Sequence, residues 1–121
     1  MKKTVILGAS TNPSRYANIA ASMFHNYKVP FVPVGIKKGE VFGQQILDLN
    51  QKPDIDDVDT VTLCLGPANQ KEWYSYILSL NPKRIIFNPG TENPELMKLA
   101  RENKIEVVPA CTLVMLSTGQ F

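Results

Sequence analysis

Short apolar runs and helix-length amphipathic stretches take turns along this chain. That alternation constrains the fold more than any other feature. The runs at 4–7, 29–34, 58–65, 83–87 and 105–108 have the apolar, β-branched character of buried strands. Between them, residues 15–27 place Tyr16, Ile19, Ala20, Met23, Phe24 and Tyr27 at helical spacing. Residues 68–80 carry Trp73, Tyr76, Ile77 and Leu80, and 92–103 reads as a third helix. Pro30 and Pro33 put the ends of the second strand at a margin of the ladder. Residues 35–43 form a turn-rich loop with a short strand at 40–42, and the tail from 112 reads as a short final helix. Parallel strands need helical crossovers. The expectation is therefore a three-layer, doubly wound, Rossmann-like α/β fold with a mostly parallel sheet of about five strands. Right-handed crossovers bring the C-terminal strand ends to one edge, where such folds bind ligands.

The chain has 121 residues, enough for a single domain over 1–121 with one real core. A net charge of +2 gives no global attraction to nucleic acid or to a membrane surface, so basic effects must be local. No apolar run approaches membrane-spanning length and no signal-type segment opens the chain. Cys64 and Cys111 form no paired motif, so free thiols in a reducing cytoplasm are expected.

The first strand runs into Gly8-Ala9-Ser10-Thr11-Asn12-Pro13, followed by a helix. Gly8 supplies a turn geometry that other residues resist. Ala9 and Ser10 are small enough for the backbone to approach a pyrophosphate. Ser10, Thr11, Asn12 and Ser14 are candidate caps and donors. The helix start carries partial positive charge, and Arg15 adds a full one. The full G-x-G-x-x-G spacing of a dinucleotide site is absent.

The second strand ends in Val34-Gly35-Ile36-Lys37-Lys38, where an NAD site would carry an acid for the ribose diol. Two ammonium groups suit a ribose phosphate instead. NADP carries one on the 2′-oxygen and coenzyme A carries one on the 3′-oxygen.

Gly8-Ala9-Ser10-x-x-Pro13-x-Arg15, then Val32-Pro33-Val34-x-x-Lys37 and Gly43-Gln44, resembles the small stand-alone CoA-binding domain family. That family is related to the nucleotide-binding domain of the succinyl-CoA synthetase α-subunit. The resemblance runs the length of the chain, with Val58-Asp59-x-Val61, Asn88-Pro89-Gly90 and residues 95–102 at matching places. It implies a single Rossmann-like domain that binds coenzyme A through its ADP moiety. Gly8, Ala9, Ser10 and Thr11 would hold the pyrophosphate, with Asn12 and Arg15 beside them. Val34, Lys37 and Lys38 would face the adenosine ribose and its phosphate. Leu65, Gly66 and Pro67 would line the adenine or pantetheine side, and Asn88, Pro89 and Gly90 would supply a further turn. Departures fall at Leu65, at Gly35-Ile36-Lys37 and at Pro109-Ala110-Cys111, where the family is more polar.

Other clusters carry less chemistry. Asp54, Asp56, Asp57 and Asp59 lack the glycine and terminal glutamate of a calcium loop. His25, the sole histidine, sits near a helix end with no triad or metal spacing around it. Cys64 lies in an apolar strand, whereas Cys111 follows the last strand on the ligand edge. Trp73, Tyr74 and Tyr76 read as sheet packing with Tyr74 exposed. A phospho-receiver domain would need an acidic pair after strand one, where this chain has Gly8-Ala9. The reading is thus a non-catalytic module for coenzyme A or an acyl-CoA, with no metal, acting alone, as a homodimer or beside a partner subunit. The alternative is a small NADP-binding oxidoreductase or a CoA-transferring subunit completed by a partner chain.

Overall fold

The computed structural model describes residues 3–121. Eight strands form: β1 (Thr4–Leu7), β2 (Phe31–Gly35), β3 (Glu40–Val41), β4 (Gln44–Gln45), β5 (Leu47–Asp48), β6 (Thr60–Leu63), β7 (Arg84–Phe87) and β8 (Glu106–Val108). Four α-helices join them: α1 (Tyr16–Asn26), α2 (Tyr74–Ser79), α3 (Pro94–Glu102) and α4 (Thr112–Ser117). The main sheet has six strands in the order β5-β2-β1-β6-β7-β8, and every neighbouring pair is parallel. This is one strand more than the sequence pattern suggests. The addition, β5, is only two residues long and pairs with Val34 and Gly35. Pro33 lies beyond the reach of that pairing, where a missing N–H costs no ladder bond. β3 and β4 form a separate antiparallel hairpin, which Ile46 N–H closes onto Gly39 O at 2.8 Å.

Side chains alternate across each strand, so one run feeds two cores. Val5 and Leu7 point to one face of the sheet with Val61, Leu63, Ile85 and Phe87, under Ile77, Leu96 and Ala100 of α2 and α3. Ile6 points to the other, beneath Ala17, Ala20, Ala21 and Phe24 of α1 and Leu116 of α4. The alanines let α1 sit close to the sheet, and Phe24 fills the remaining space. Both layers of helices are thereby sealed against the sheet, giving the three-layer architecture.

The segment expected to be one helix over 68–80 is broken. Two 3-10 turns, Pro67–Asn69 and Lys71–Trp73, precede α2. The cause is local: Gln70 turns its side chain inward and bonds Leu65 O and Thr91 O, which holds the backbone in short turns. Tyr74 is half-buried rather than exposed, because its hydroxyl accepts a bond from Asn93 Nδ2 at 2.7 Å. Among the described residues no helix is long and apolar enough to cross a membrane.

Strand order reverses between β1 and β6. From β1 the chain runs outward to β2 and β5, then returns to β6 on the other side. The loops after β1, β2 and β6 therefore diverge at this point and leave a crevice at the C-terminal edge.

Candidate functional site

The crevice is a cleft of about 660 Å³. The turn after β1 forms its floor, and Gly8, Ala9, Ser10, Thr11, Asn12 and Arg15 all line it. Gly8 has φ +100°, and a Cβ there would lie 3.0 Å from Leu65 Cδ2 and 3.1 Å from the Cys64 carbonyl. Both conditions demand glycine. A second close approach involves Gly35: a Cβ would sit 2.6 Å from Ala9 O. The ends of β1 and β2 thus touch backbone to backbone.

The donors in the turn divide into used and free. Gly8 N–H and Ala9 N–H both bond Val34 O, at 2.8 and 2.9 Å. Asn12 N–H bonds Ser10 Oγ at 3.1 Å, and Asn12 Oδ1 accepts from Ser14 N–H at 3.0 Å. Among the described residues nothing accepts from the amides of Ser10 and Thr11. The expected capping of α1 by Ser10, Thr11, Asn12 or Ser14 does not occur. Arg15 is the N-cap residue, and no side chain caps the helix. The polar side chains upstream bond within their own turn instead. The first turn of α1, with Arg15, Tyr16 and Ala17, opens onto the cleft. Free amides, the helix dipole and a guanidinium converge there, which is a site for an anion.

Lys37 lines the opposite rim, beside Gly35 and Ile36. Lys38 is exposed and outside the cleft. Val34 was expected beside the ribose, but it is fully buried in the core, and its contribution is the carbonyl that holds the Gly8 and Ala9 amides. On the β6 side, Leu65 and Gly66 line the cleft, and Pro67 does not.

Asn88, Pro89 and Gly90 also lie outside the cleft. Asn88 is buried, and its amide is fully used. Nδ2 donates to Thr62 Oγ1 at 2.7 Å and Leu63 O at 2.8 Å, while Oδ1 accepts from Thr112 N–H at 2.8 Å and the Tyr16 hydroxyl at 2.9 Å. Gly90 N–H bonds Glu92 Oε1. Asn88 is therefore a tie between elements, and the turn after it braces the cleft from behind.

Sequence reasoning missed Tyr16, Leu49, Asn69, Glu72 and Trp73 as lining residues. The spacing of Asn69, Glu72 and Trp73 at three and four positions would have marked them as one face. Cys64 also reaches the cleft, and burial pushes its thiol up to about 12. Burial likewise raises the Tyr16 hydroxyl above its ordinary range, helped by its contact with Cys111. Cys111 shows the opposite balance. Burial raises it, but contact with the Tyr16 hydroxyl at 3.1 Å and with the Val114 and Leu113 amides outweighs that and holds it below an ordinary thiol. His25 stacks on Phe42 at 5.6 Å, remote from these groups.

The CoA binding domain model matches residues 2–117. A protein whose crystal structure is described as that of an uncharacterized protein is 57% identical, with a TM-score of 0.95, and the match covers 100% of this chain and 98% of that one. A Thermus thermophilus protein is 24% identical with a TM-score of 0.83, over 99% and 90% of the two chains. A hypothetical protein from Pyrococcus horikoshii is 27% identical with a TM-score of 0.83, over 97% and 82%. No curated protein sequence matches the chain. Fold, phosphate-type turn and family model agree along almost the whole length, and the chain belongs to the CoA-binding domain family.

Proposed function

We propose that this protein is a non-catalytic module that binds coenzyme A or an acyl-CoA in the cleft at the β1/β6 switch point. The observation that carries this reading is the start of α1, which no side chain caps and which opens into the cleft beside the free Ser10 and Thr11 amides. That donor set fits the pyrophosphate of a nucleotide ligand. Arg15 supports the same anion, and Lys37 on the far rim suits the 3′-phosphate on the ribose. The volume, about 660 Å³, falls within the usual range for ligand sites. Ile36, Leu65 and the exposed edge of Trp73 offer apolar surface for the uncharged parts of the ligand.

The titratable groups in the cleft favour holding a ligand over transforming it. The raised Tyr16 hydroxyl and Cys64 thiol keep their protons at neutral pH. Arg15 and Lys37 serve charge, which leaves Glu72 as the one carboxylate among the described lining residues.

Isothermal titration with coenzyme A, and with NADP and NAD as controls, tests this. Heat with CoA and none with the dinucleotides is expected. CoA at about 100 times its Kd should also raise stability by roughly 2.7 kcal/mol. NADP binding without CoA binding would overturn the reading and transfer Lys37 to a 2′-phosphate.

A further inference from the structure

One wall of the cleft is built from weak material. Asn69, Glu72 and Trp73 face the ligand space from two three-residue 3-10 turns, and Leu65 and Gly66 lead into them. Neither turn has a side-chain cap, and turns this short have poor intrinsic hydrogen-bond geometry. Something else must set where this wall stands.

Gln70 lies inside the segment and is fully buried. Its Nε2 donates to Leu65 O at 2.8 Å and to Thr91 O at 2.9 Å. Its Oε1 accepts from Asn93 Nδ2 at 2.9 Å. Asn93 in turn fixes the start of α3, since Oδ1 accepts from the Glu95 and Leu96 amides. The amide of Gln70 thus joins the start of the wall, its middle and the turn after β7 into one buried unit. The same turn holds the opposite side of the cleft, because Asn88 binds the hydroxyl of Tyr16.

We infer that Gln70 and Asn93 are positioning residues for the ligand: they set the distance of the 65–73 wall from the phosphate turn, without touching the ligand themselves. This rests on the reading of the cleft as a CoA site. Affinity gained from a preformed wall is lost when the wall moves, because the ligand must then order it on binding. The phosphate turn has its own supports at Val34 and Asn12, so it does not share that loss.

The test uses the full chain carrying Gln70→Met or Asn93→Ser, both titrated well below their melting temperatures. Gln70→Met keeps the volume and removes all three bonds. Asn93→Ser keeps a helix cap and removes the Nδ2 donor shared by Gln70 and the Tyr74 hydroxyl. The probes are coenzyme A and inorganic pyrophosphate. The third readout is acrylamide quenching of Trp73, the sole tryptophan, which stands on the wall itself. Expected are a CoA Kd weaker by about tenfold, an unchanged pyrophosphate Kd and faster quenching of Trp73. If Gln70→Met does not fold, Asn93→Ser carries the same expectations. Wild-type CoA affinity with only a lower melting temperature would reduce the pair to a structural role and overturn the inference alone. Absence of CoA heat from the wild-type protein would instead withdraw the CoA reading, and this inference with it.

Discussion

Tyr16, in the first turn of α1, donates its hydroxyl proton to Asn88 Oδ1 at 2.9 Å, across 72 positions of sequence. The bond ties the helix that opens onto the cleft to the end of β7. Because Asn88 also holds Thr62, Leu63 and Thr112, one buried amide gathers α1, β6, β7 and α4.

Replacing Asn88 with alanine leaves those partners buried and short of a bond. Asn88→Ala is expected to cost roughly 3 kcal/mol of stability. Urea unfolding measures it, and a loss below about 1 kcal/mol would mean that water or a neighbour substitutes for the amide.

Among the described residues on its rim of the cleft, Lys37 is the one that carries a charge, so reversing it isolates one electrostatic contribution. Lys37→Glu is expected to weaken CoA by about tenfold and dephospho-CoA much less. Titration at two salt concentrations should show the difference shrinking as salt rises. Equal losses for both ligands would remove Lys37 from the ribose phosphate.

Gly35 and Ala9 meet backbone to backbone, and carbonyl oxygens cannot rotate aside as flexible side chains do. Gly35→Ala places a methyl 2.6 Å from Ala9 O and must push the two strand ends apart. A stability loss of about 1–3 kcal/mol is expected, together with weaker ligand binding, since the phosphate turn begins at that contact. Paired unfolding and titration experiments check both.

The two cysteines should part company in their chemistry. At pH 8 iodoacetamide is expected to label Cys111 faster than an ordinary thiol, because the polar contacts around its sulfur, with the Val114 and Leu113 amides among them, favour the thiolate. Cys64, held at about 12, should be almost inert in the native state. The sign of the linked stability follows from the same shift. The unfolded chain releases the Cys64 proton near pH 9 and the folded chain only near 12, so stability falls as pH rises through that window. Peptide mapping and unfolding at pH 8 and 10 test the pair, and Cys64→Ala should flatten the alkaline decline.

The alternation of strand and helix made the layers legible, because β1 and β7 are continuous apolar runs that need cover on both faces and α1 carries an apolar stripe at helical spacing. β5 escaped notice because two residues hold no period; pairing with Val34 and Gly35 makes it a strand. The turn at Gly8 was legible as an anion site from small residues before a helix. What the sequence concealed was direction. Val34 and Asn88 both follow or end strands where ligands bind, yet both side chains point inward, and the neighbouring packing decides that. The 3-10 wall was likewise hidden, since Gln70 has ordinary helix propensity and breaks the helix only by bonding a loop distant in sequence.

The bare start of α1 has a consequence for how this protein can change. A serine or aspartate at position 15 would finish the helix, and a search for sturdier variants would choose it early. The same replacement would fill the anion's place and remove the guanidinium beside it. The protein would become more durable and lose the proposed anion site in a single step, with no sign of damage in its melting curve.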